Sequence, residues 1–189
     1  AGAAGGLSIT VGVAIAARTL DRRSLADFGL AIAAAWWRDL GVGLALGAGL
    51  IAALYLAGVA LGVYRPRFSP AAPAGLSVFA GFALVTGFMC LVGFYEEFVF
   101  RGYFLTNVAE GLADFAGMRR AILGAVALSS FGFALVHGLN PNMNLLGVCT
   151  ITVAGIALGL GYVLTGRLAL PIGFHITWNL AHFVFGLPV

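Results

Sequence analysis

Charged residues are scarce in this sequence of 189 residues: 9% of them are charged, whereas 61% are hydrophobic. A soluble domain carries about 25% charged residues, so the composition excludes an ordinary soluble protein. Lysine is absent, and the ten arginines outnumber the seven acidic residues by a net charge of only +3. Such a small excess gives no indication of nucleic-acid binding. The sequence predicts an all-α polytopic transmembrane helix bundle in a lipid bilayer.

Cysteine and histidine are also rare. The two cysteines, Cys90 and Cys149, lie in apolar segments at no metal-binding spacing, and we predict that both are buried as small hydrophobic side chains. The three histidines, His137, His175 and His182, all lie in or at the ends of apolar segments. Ionisable residues at membrane depth are costly, and by default they indicate a functional site.

Apolar runs divide the chain into about six membrane segments within one transmembrane domain over residues 1–189. The segments cover residues 1–17, 40–63, 74–109, 121–137, 143–165 and 170–187. Between them we predict an interfacial segment over 18–39, loops over 64–73 and 110–120, a turn over 138–142 and a link over 166–169. Because the chain begins with Ala1 and stops just after an apolar run, we expect both ends to be trimmed.

The third segment has about 35 residues and would be about 50 Å long as one straight helix, which exceeds the thickness of a bilayer core. We therefore expect it to tilt, to kink near Gly93 or to leave the membrane with its last turns. In the second segment, Gly43 with Gly47 and Gly58 with Gly62 have the small-residue spacing that lets helices approach closely.

Arginine placement predicts the orientation of the bundle. Seven arginines lie in one set of alternating connections, residues 18–39, 110–120 and 166–169, and two lie in the other set, residues 64–73 and 138–142. The positive-inside rule therefore places the first set in the cytoplasm.

The same orientation predicts which polar residues lie at similar depths. Glu96 lies about 13 residues from the cytoplasmic end of its segment, and His137 lies about 17 residues from its own, or roughly 20 and 25 Å. The two side chains can therefore meet. His175 lies only about five residues into the last segment, so a tilt or a non-helical entry around Pro171 would have to close the gap.

Two adjacent glutamates and an arginine interrupt the aromatic and aliphatic stretch over residues 94–101. Glu97 and Arg101 are four positions apart and share one face of a helix, so we predict that they form an ion pair. Arg101 lies roughly 140° around the helix from Glu96. We therefore interpret Glu97 as the orienting, charge-compensated carboxylate and Glu96 as the free carboxylate that faces the chemistry.

The polar residues of the later segments complete a hydrolytic set. Phe133 shares a helix face with His137, and His175 shares one with Asn179. Glu96 can take a proton from water, His137 can position that water, and His175 with Asn179 can donate hydrogen bonds to an oxyanion. His182 falls on the face of His175, two turns further on.

Three motifs in this order resemble those of the CPBP intramembrane proteases, the group that contains the type II CAAX prenyl endopeptidases and bacteriocin-processing proteins. They are Glu96-Glu97-x-x-x-Arg101, Phe133-x-x-x-His137 and His175-x-x-x-Asn179, within residues 80–187. The resemblance implies an endopeptidase with Glu96 activating water, His137 assisting, His175 and Asn179 forming the oxyanion hole, and no cofactor. It also implies the plasma membrane of a prokaryote and an active-site cavity open toward the cytoplasmic half.

Two alternatives use the same residues. In a zinc-dependent metalloprotease, Glu96, His137 and His175 would be an adequate ligand set, although they lack the compact HExxH arrangement. In a transporter or scaffold, the charged residues would serve proton coupling or partner binding, although no internal repeat is visible. The predicted substrate is a membrane-associated peptide: a prenylated CAAX protein, a leader peptide or a membrane-anchored protein.

Overall fold

The fold is a bundle of α-helices. The computed structural model describes residues 3–64, 75–140 and 143–185, and no strand occurs within these ranges. The helices are α1 (Ala3–Thr19), α2 (Ala34–Ala60), α3 (Val78–Glu97), α4 (Thr106–Ala116), α5 (Met118–His137), α6 (Leu145–Thr165) and α7 (Ala169–Phe185). A 3-10 turn covers Leu25–Phe28, and a π-helical segment, Phe98–Leu105, joins α3 to α4 in one continuous helix. The predicted all-α bundle is confirmed.

Four of these helices are long and apolar enough to cross a membrane. They are α2, the continuous helix Val78–Ala116, α5 and α6. Helices α1 and α7 are shorter, with 17 residues each. Together they account for the six predicted segments and confirm a polytopic helical bundle.

The structure changes the bounds of two predicted connections, because charged residues lie on helices. Helix α2 already begins at Ala34, inside the predicted interfacial segment over 18–39. Helix α4 runs to Ala116, and only Gly117, at φ 74°, separates it from α5. The predicted loop over 110–120 is therefore a helical hairpin whose charged side chains are exposed.

The long third segment continues as a helix through the predicted kink site. Gly93 lies within α3, and a Cβ there would come within 2.8 Å of Ile176 Cγ1 on α7, so this glycine serves helix packing. The departure from α-helical geometry comes later, in the π-helical segment directly after Glu97. Such segments occur frequently at functional sites.

Helices α2 and α7 pack together more extensively than any other pair. A Cβ on Gly43 would collide with the carbonyl oxygen of Leu170, and one on Gly47 would collide with Thr177 Oγ1. The predicted close approach at Gly43 and Gly47 is confirmed. The second predicted pair makes no such approach, because Gly58 faces Tyr64 of its own segment and Gly62 lies in open space.

The three connections predicted to be cytoplasmic lie at one end of the bundle. Arg23 pairs with Glu110 at 2.7 Å, which joins the first connection to α4. Arg167 Nε donates to Asp39 Oδ2 at 2.6 Å, which joins the link before α7 to the first turns of α2. The backbone N–H of Leu168 donates to the carbonyl oxygen of Gly29 at 3.0 Å. Arg65 and Arg67 of the opposite set lie outside the described residues.

The prediction for the cysteines is wrong. Cys90 and Cys149 are both free and exposed. In a bundle surrounded by lipid, an apolar sequence environment does not distinguish the interior from the lipid-facing surface, because both are apolar.

We expect Gly43→Ala to destabilise the bundle. The added methyl group meets backbone atoms of α7, including Phe174 N at 2.9 Å, which cannot rotate away, so overpacking should cost about 1–3 kcal/mol. Gly41→Ala is the matched control on the same helix, because a Cβ there meets nothing within 4 Å. Thermal melting in detergent measures both. Equal melting temperatures for the two variants would contradict the close contact between α2 and α7.

Candidate active site

The centre of the site is an ion pair buried between helices. Arg101 Nη1 donates to Glu97 Oε1 at 3.0 Å, and both side chains are 0% exposed. The pairing predicted from the i,i+4 spacing is confirmed. His175 Nδ1 also lies 2.7 Å from Glu97 Oε1, so α7 joins the pair.

Arg101 is enclosed by groups that suit a buried guanidinium. Its Nη2 donates to the carbonyl oxygen of Gly155 on α6 at 3.4 Å. Its Cζ lies 4.2 Å from the centre of the Phe133 ring on α5, within the range of a cation–π interaction. The arginine therefore connects the π-helical segment with three other helices.

Glu96 is separate from this ion pair. The hydroxyl of Tyr95 donates to Glu96 Oε1 at 3.0 Å. Glu96 Oε2 is buried and accepts no hydrogen bond from the described part of the chain. His137 Nε2 lies 3.7 Å from this oxygen and His175 Nε2 lies 3.6 Å from it. The predicted meeting of Glu96 and His137 is confirmed.

Hydrogen bonds at the other ring nitrogens fix how the histidines face Glu96. His137 Nδ1 lies 2.8 Å from the carbonyl oxygen of Phe133, which can only accept, so Nδ1 carries a proton. His175 Nδ1 faces the carboxylate of Glu97 in the same way. Both Nε2 atoms are therefore acceptors when the rings are neutral. Three acceptors around one space favour a hydrogen-bond donor, such as water, in that space.

The ring of Phe133 lies at the middle of the site. Its centre is 4.4 Å from that of the His137 ring and 5.9 Å from that of the His175 ring, in addition to the arginine contact. Phe100 packs edge-on against it at 5.2 Å. This placement explains how one apolar side chain can hold the guanidinium and both imidazoles in place.

His175 reaches the site although it lies early in its helix. Helix α7 runs without interruption from Ala169, and Pro171 lies in its first turn, where proline is tolerated, so a non-helical entry is not needed. The neighbouring helices extend further in the direction of the start of α7. Glu96 lies about 20 residues before the end of α4, whereas His175 lies only about six residues after the start of α7. The hairpin of α4 and α5 therefore projects roughly 20 Å beyond the start of α7.

Two polar residues of α7 lie beyond this cluster. Asn179 is one turn after His175 and partly buried, and its predicted part in an oxyanion hole stays a prediction. His182 packs beside Trp178, with ring centres 5.6 Å apart.

The predicted active-site cavity is not a wide opening in the structure, because the side chains of the site are only slightly exposed. The side chain of Glu96 is 12% exposed and that of His137 is 23% exposed. The two apolar clefts beside α2 are lined by α7 residues such as Phe174 and Thr177, and not by the glutamates.

The donor types of the zinc alternative are present, and each histidine has a hydrogen-bond acceptor at Nδ1, as zinc ligands usually do. Within the described ranges, however, no group of three or more His, Cys, Asp or Glu side chains has the geometry to hold a metal ion.

Apolar helices around a buried carboxylate pair and two histidines define an integral membrane protein with a polar cluster in its interior. The family model described as type II CAAX prenyl endopeptidase Rce1-like matches residues 77–181, more than half of the chain. The chain belongs to this family, as the motifs predicted. The matched range contains every motif residue from Glu96 to Asn179. Comparisons with curated proteins and with solved structures find no match.

Sequence reasoning missed two contacts. The hydrogen bond from Tyr95 to Glu96 joins adjacent residues, which do not normally face each other on a helix. The bond from His175 to Glu97 depends on the relative heights of α3 and α7, which no local spacing reports.

We expect Arg101→Ala to lower the melting temperature markedly and to remove activity. Removing one partner of a buried ion pair typically costs 3–5 kcal/mol, because the other charge stays buried without compensation. Glu110→Gln is the control, since it breaks the pair with Arg23, in which the glutamate side chain is 52% exposed. Melting of the Arg101 variant together with the wild type would contradict a structural role for the pair.

Proposed function

We propose that this protein is an intramembrane endopeptidase in which Glu96 activates water to hydrolyse a peptide bond of a membrane-associated substrate. The observation that carries the proposal is the position of Glu96 Oε2, which is buried, lacks a hydrogen bond within the described chain and faces the Nε2 atoms of His137 and His175. A carboxylate placed in this way is suited to be a general base.

The reaction begins with a water molecule between Glu96 Oε2 and His137 Nε2. It donates one proton toward Glu96 Oε2 and the other toward His137 Nε2, so its oxygen lone pair points at the substrate carbonyl carbon. Glu96 takes the proton as the C–O bond forms, and the carbonyl becomes a tetrahedral oxyanion. The proton then passes to the departing amine as the C–N bond breaks, which returns Glu96 to its ionised form.

The charges of the site support His175 as the proposed oxyanion donor. Glu96 and Glu97 carry two negative charges and Arg101 carries one positive charge, so one more proton makes the buried cluster neutral. A proton on His175 Nε2 supplies it, because this ring lies between both carboxylates. Protonated His175 then donates from Nε2, and Asn179, one turn further along α7, adds a second donor from its amide.

Glu97, Arg101 and Phe133 orient these groups. Glu97 holds the His175 ring through Nδ1, Arg101 holds Glu97, and Phe133 lies against Arg101 and both histidines. The substrate that fits the proposal is a peptide or prenylated protein anchored in the bilayer. His175 lies about 10 Å from the start of α7, so the peptide bond would enter from that end, which the arginines favour as cytoplasmic.

We expect Glu96→Gln to abolish peptide cleavage while the protein stays folded. The amide keeps the shape of the side chain and cannot accept the proton from water. The measurement is turnover of prenylated and unprenylated membrane-anchored peptides by the purified protein, with the melting temperature as the folding check. Glu110→Gln, the same change at an exposed carboxylate, should leave turnover unchanged. More than a few per cent of wild-type turnover in the Glu96 variant would rule out Glu96 as the base.

Prolonged treatment with a strong chelator distinguishes the proposal from the zinc alternative. In the metal-free mechanism chelation leaves turnover unchanged, because the nucleophile is made by Glu96 alone. Stoichiometric zinc in the active protein, lost together with activity in His137→Ala, would establish the metalloprotease instead. Recovery of the chelated protein on addition of zinc would do the same.

Loss of one oxyanion donor costs about 10²–10³ in rate, so Asn179→Ala should reduce kcat by that order.

A further inference from the structure

Tyr95 supplies the one hydrogen bond that Glu96 accepts from the described part of the chain. Its hydroxyl donates to Oε1 at 3.0 Å, while Oε2 is left facing the two histidines. The neighbouring arginine cannot take over this task, since Arg101 donates to Glu97 instead. The orientation of the Glu96 carboxylate therefore depends on a neutral donor.

A hydrogen bond between side chains of adjacent helical residues needs support, because successive side chains leave a helix about 100° apart. The ring of Tyr95 receives this support from α1. A Cβ added at Gly6 would lie 2.7 Å from both Cδ1 and Cε1 of the ring, so the ring packs directly against the α1 backbone. Glycine at this position leaves room for the ring.

We propose that Tyr95 is a positioning residue and that α1 is part of the active-site framework. Tyr95 holds Glu96 Oε1 so that Oε2 points at His137 and His175, and Gly6 holds the Tyr95 ring. This inference rests on the proposed role of Glu96 as base. Helix α1 lies outside residues 77–181, the range that matches the family, so the framework includes a contact beyond the matched range. The phenol proton stays on Tyr95 throughout the reaction.

The test combines Tyr95→Phe, Gly6→Ala and the double variant in a mutant cycle, with Gly12→Ala as control. Gly12 is on the same helix, and a Cβ there meets nothing within 4 Å. Tyr95→Phe keeps the ring and removes the donor, so kcat should fall about 10- to 100-fold with KM unchanged. Gly6→Ala should lower kcat by displacing the ring, and it should add less than about 2-fold in the Tyr95→Phe background because the hydrogen bond is already lost.

Wild-type kcat in Tyr95→Phe would overturn the proposal. A double variant in which the decreases in kcat of the two single variants multiply would overturn it as well. A fall in melting temperature with unchanged kcat would likewise leave only a packing role. Infrared spectra provide a readout that does not need turnover: the carboxylate band removed by Glu96→Gln should shift in Tyr95→Phe. The control is Tyr55→Phe on α2, where the tyrosine ring stacks on Phe185 at 4.3 Å and not beside Glu96, so the band should stay in place.

These results separate the two proposals. If Glu96→Gln remains active, the proposed base is wrong, and the infrared band still reports whether Tyr95 positions Glu96. If Glu96→Gln is inactive and Tyr95→Phe has wild-type kcat and an unshifted band, the positioning role alone fails.

Discussion

The ion pair between Glu97 and Arg101 is the interaction on which the site depends. A guanidinium taken out of water costs several kcal/mol, and a single carboxylate at 3.0 Å offsets that cost only when other groups contribute. The carbonyl oxygen of Gly155 and the ring of Phe133 contribute from α6 and α5, and His175 approaches the carboxylate from α7. Four helical segments are thereby held at fixed relative heights, so the geometry of the polar cluster and the stability of the bundle have one origin.

Small residues make this arrangement possible in a lipid environment. Between lipid-embedded helices the hydrophobic effect supplies little attraction, and close van der Waals packing takes its place. Gly43 and Gly47 bring α2 against α7, Gly93 brings α3 against α7, and Gly155 brings α6 against Ser130 of α5, where an added Cβ would lie 2.9 Å from the serine Cβ. The close approach at Gly155 also presents its carbonyl oxygen to Arg101. Glycine in these helices thus serves both packing and the hydrogen bonding of the buried charge.

Local spacing explains which features could be predicted from the sequence. Glu97 and Arg101 share a helix face, so their pairing follows from helical geometry alone. The meeting of Glu96 with His137 follows from depth along two adjacent antiparallel helices. Counting residues from the helix end did not predict the height of His175. Helix α4 extends to Ala116, so its end lies further out than the start of α7. The exposed cysteines and the helical hairpin at Gly117 show the same limit, since hydropathy reports the polarity of a segment and not the direction in which each side chain points.

The two adjacent carboxylates have different partners, and the proposed mechanism depends on this difference. If Arg101 paired with Glu96, Glu96 would be held away from the histidines, and Glu97 would be a buried charge without compensation. The observed pairing avoids both outcomes, because Glu97 receives the permanent cation and Glu96 receives only the hydroxyl of Tyr95 on one oxygen. His175 contacts Glu97 through one ring nitrogen and faces Glu96 through the other. In the proposed cycle Glu96 gains and releases a proton while Glu97 stays paired with Arg101, so the ion pair that holds the helices together need not move.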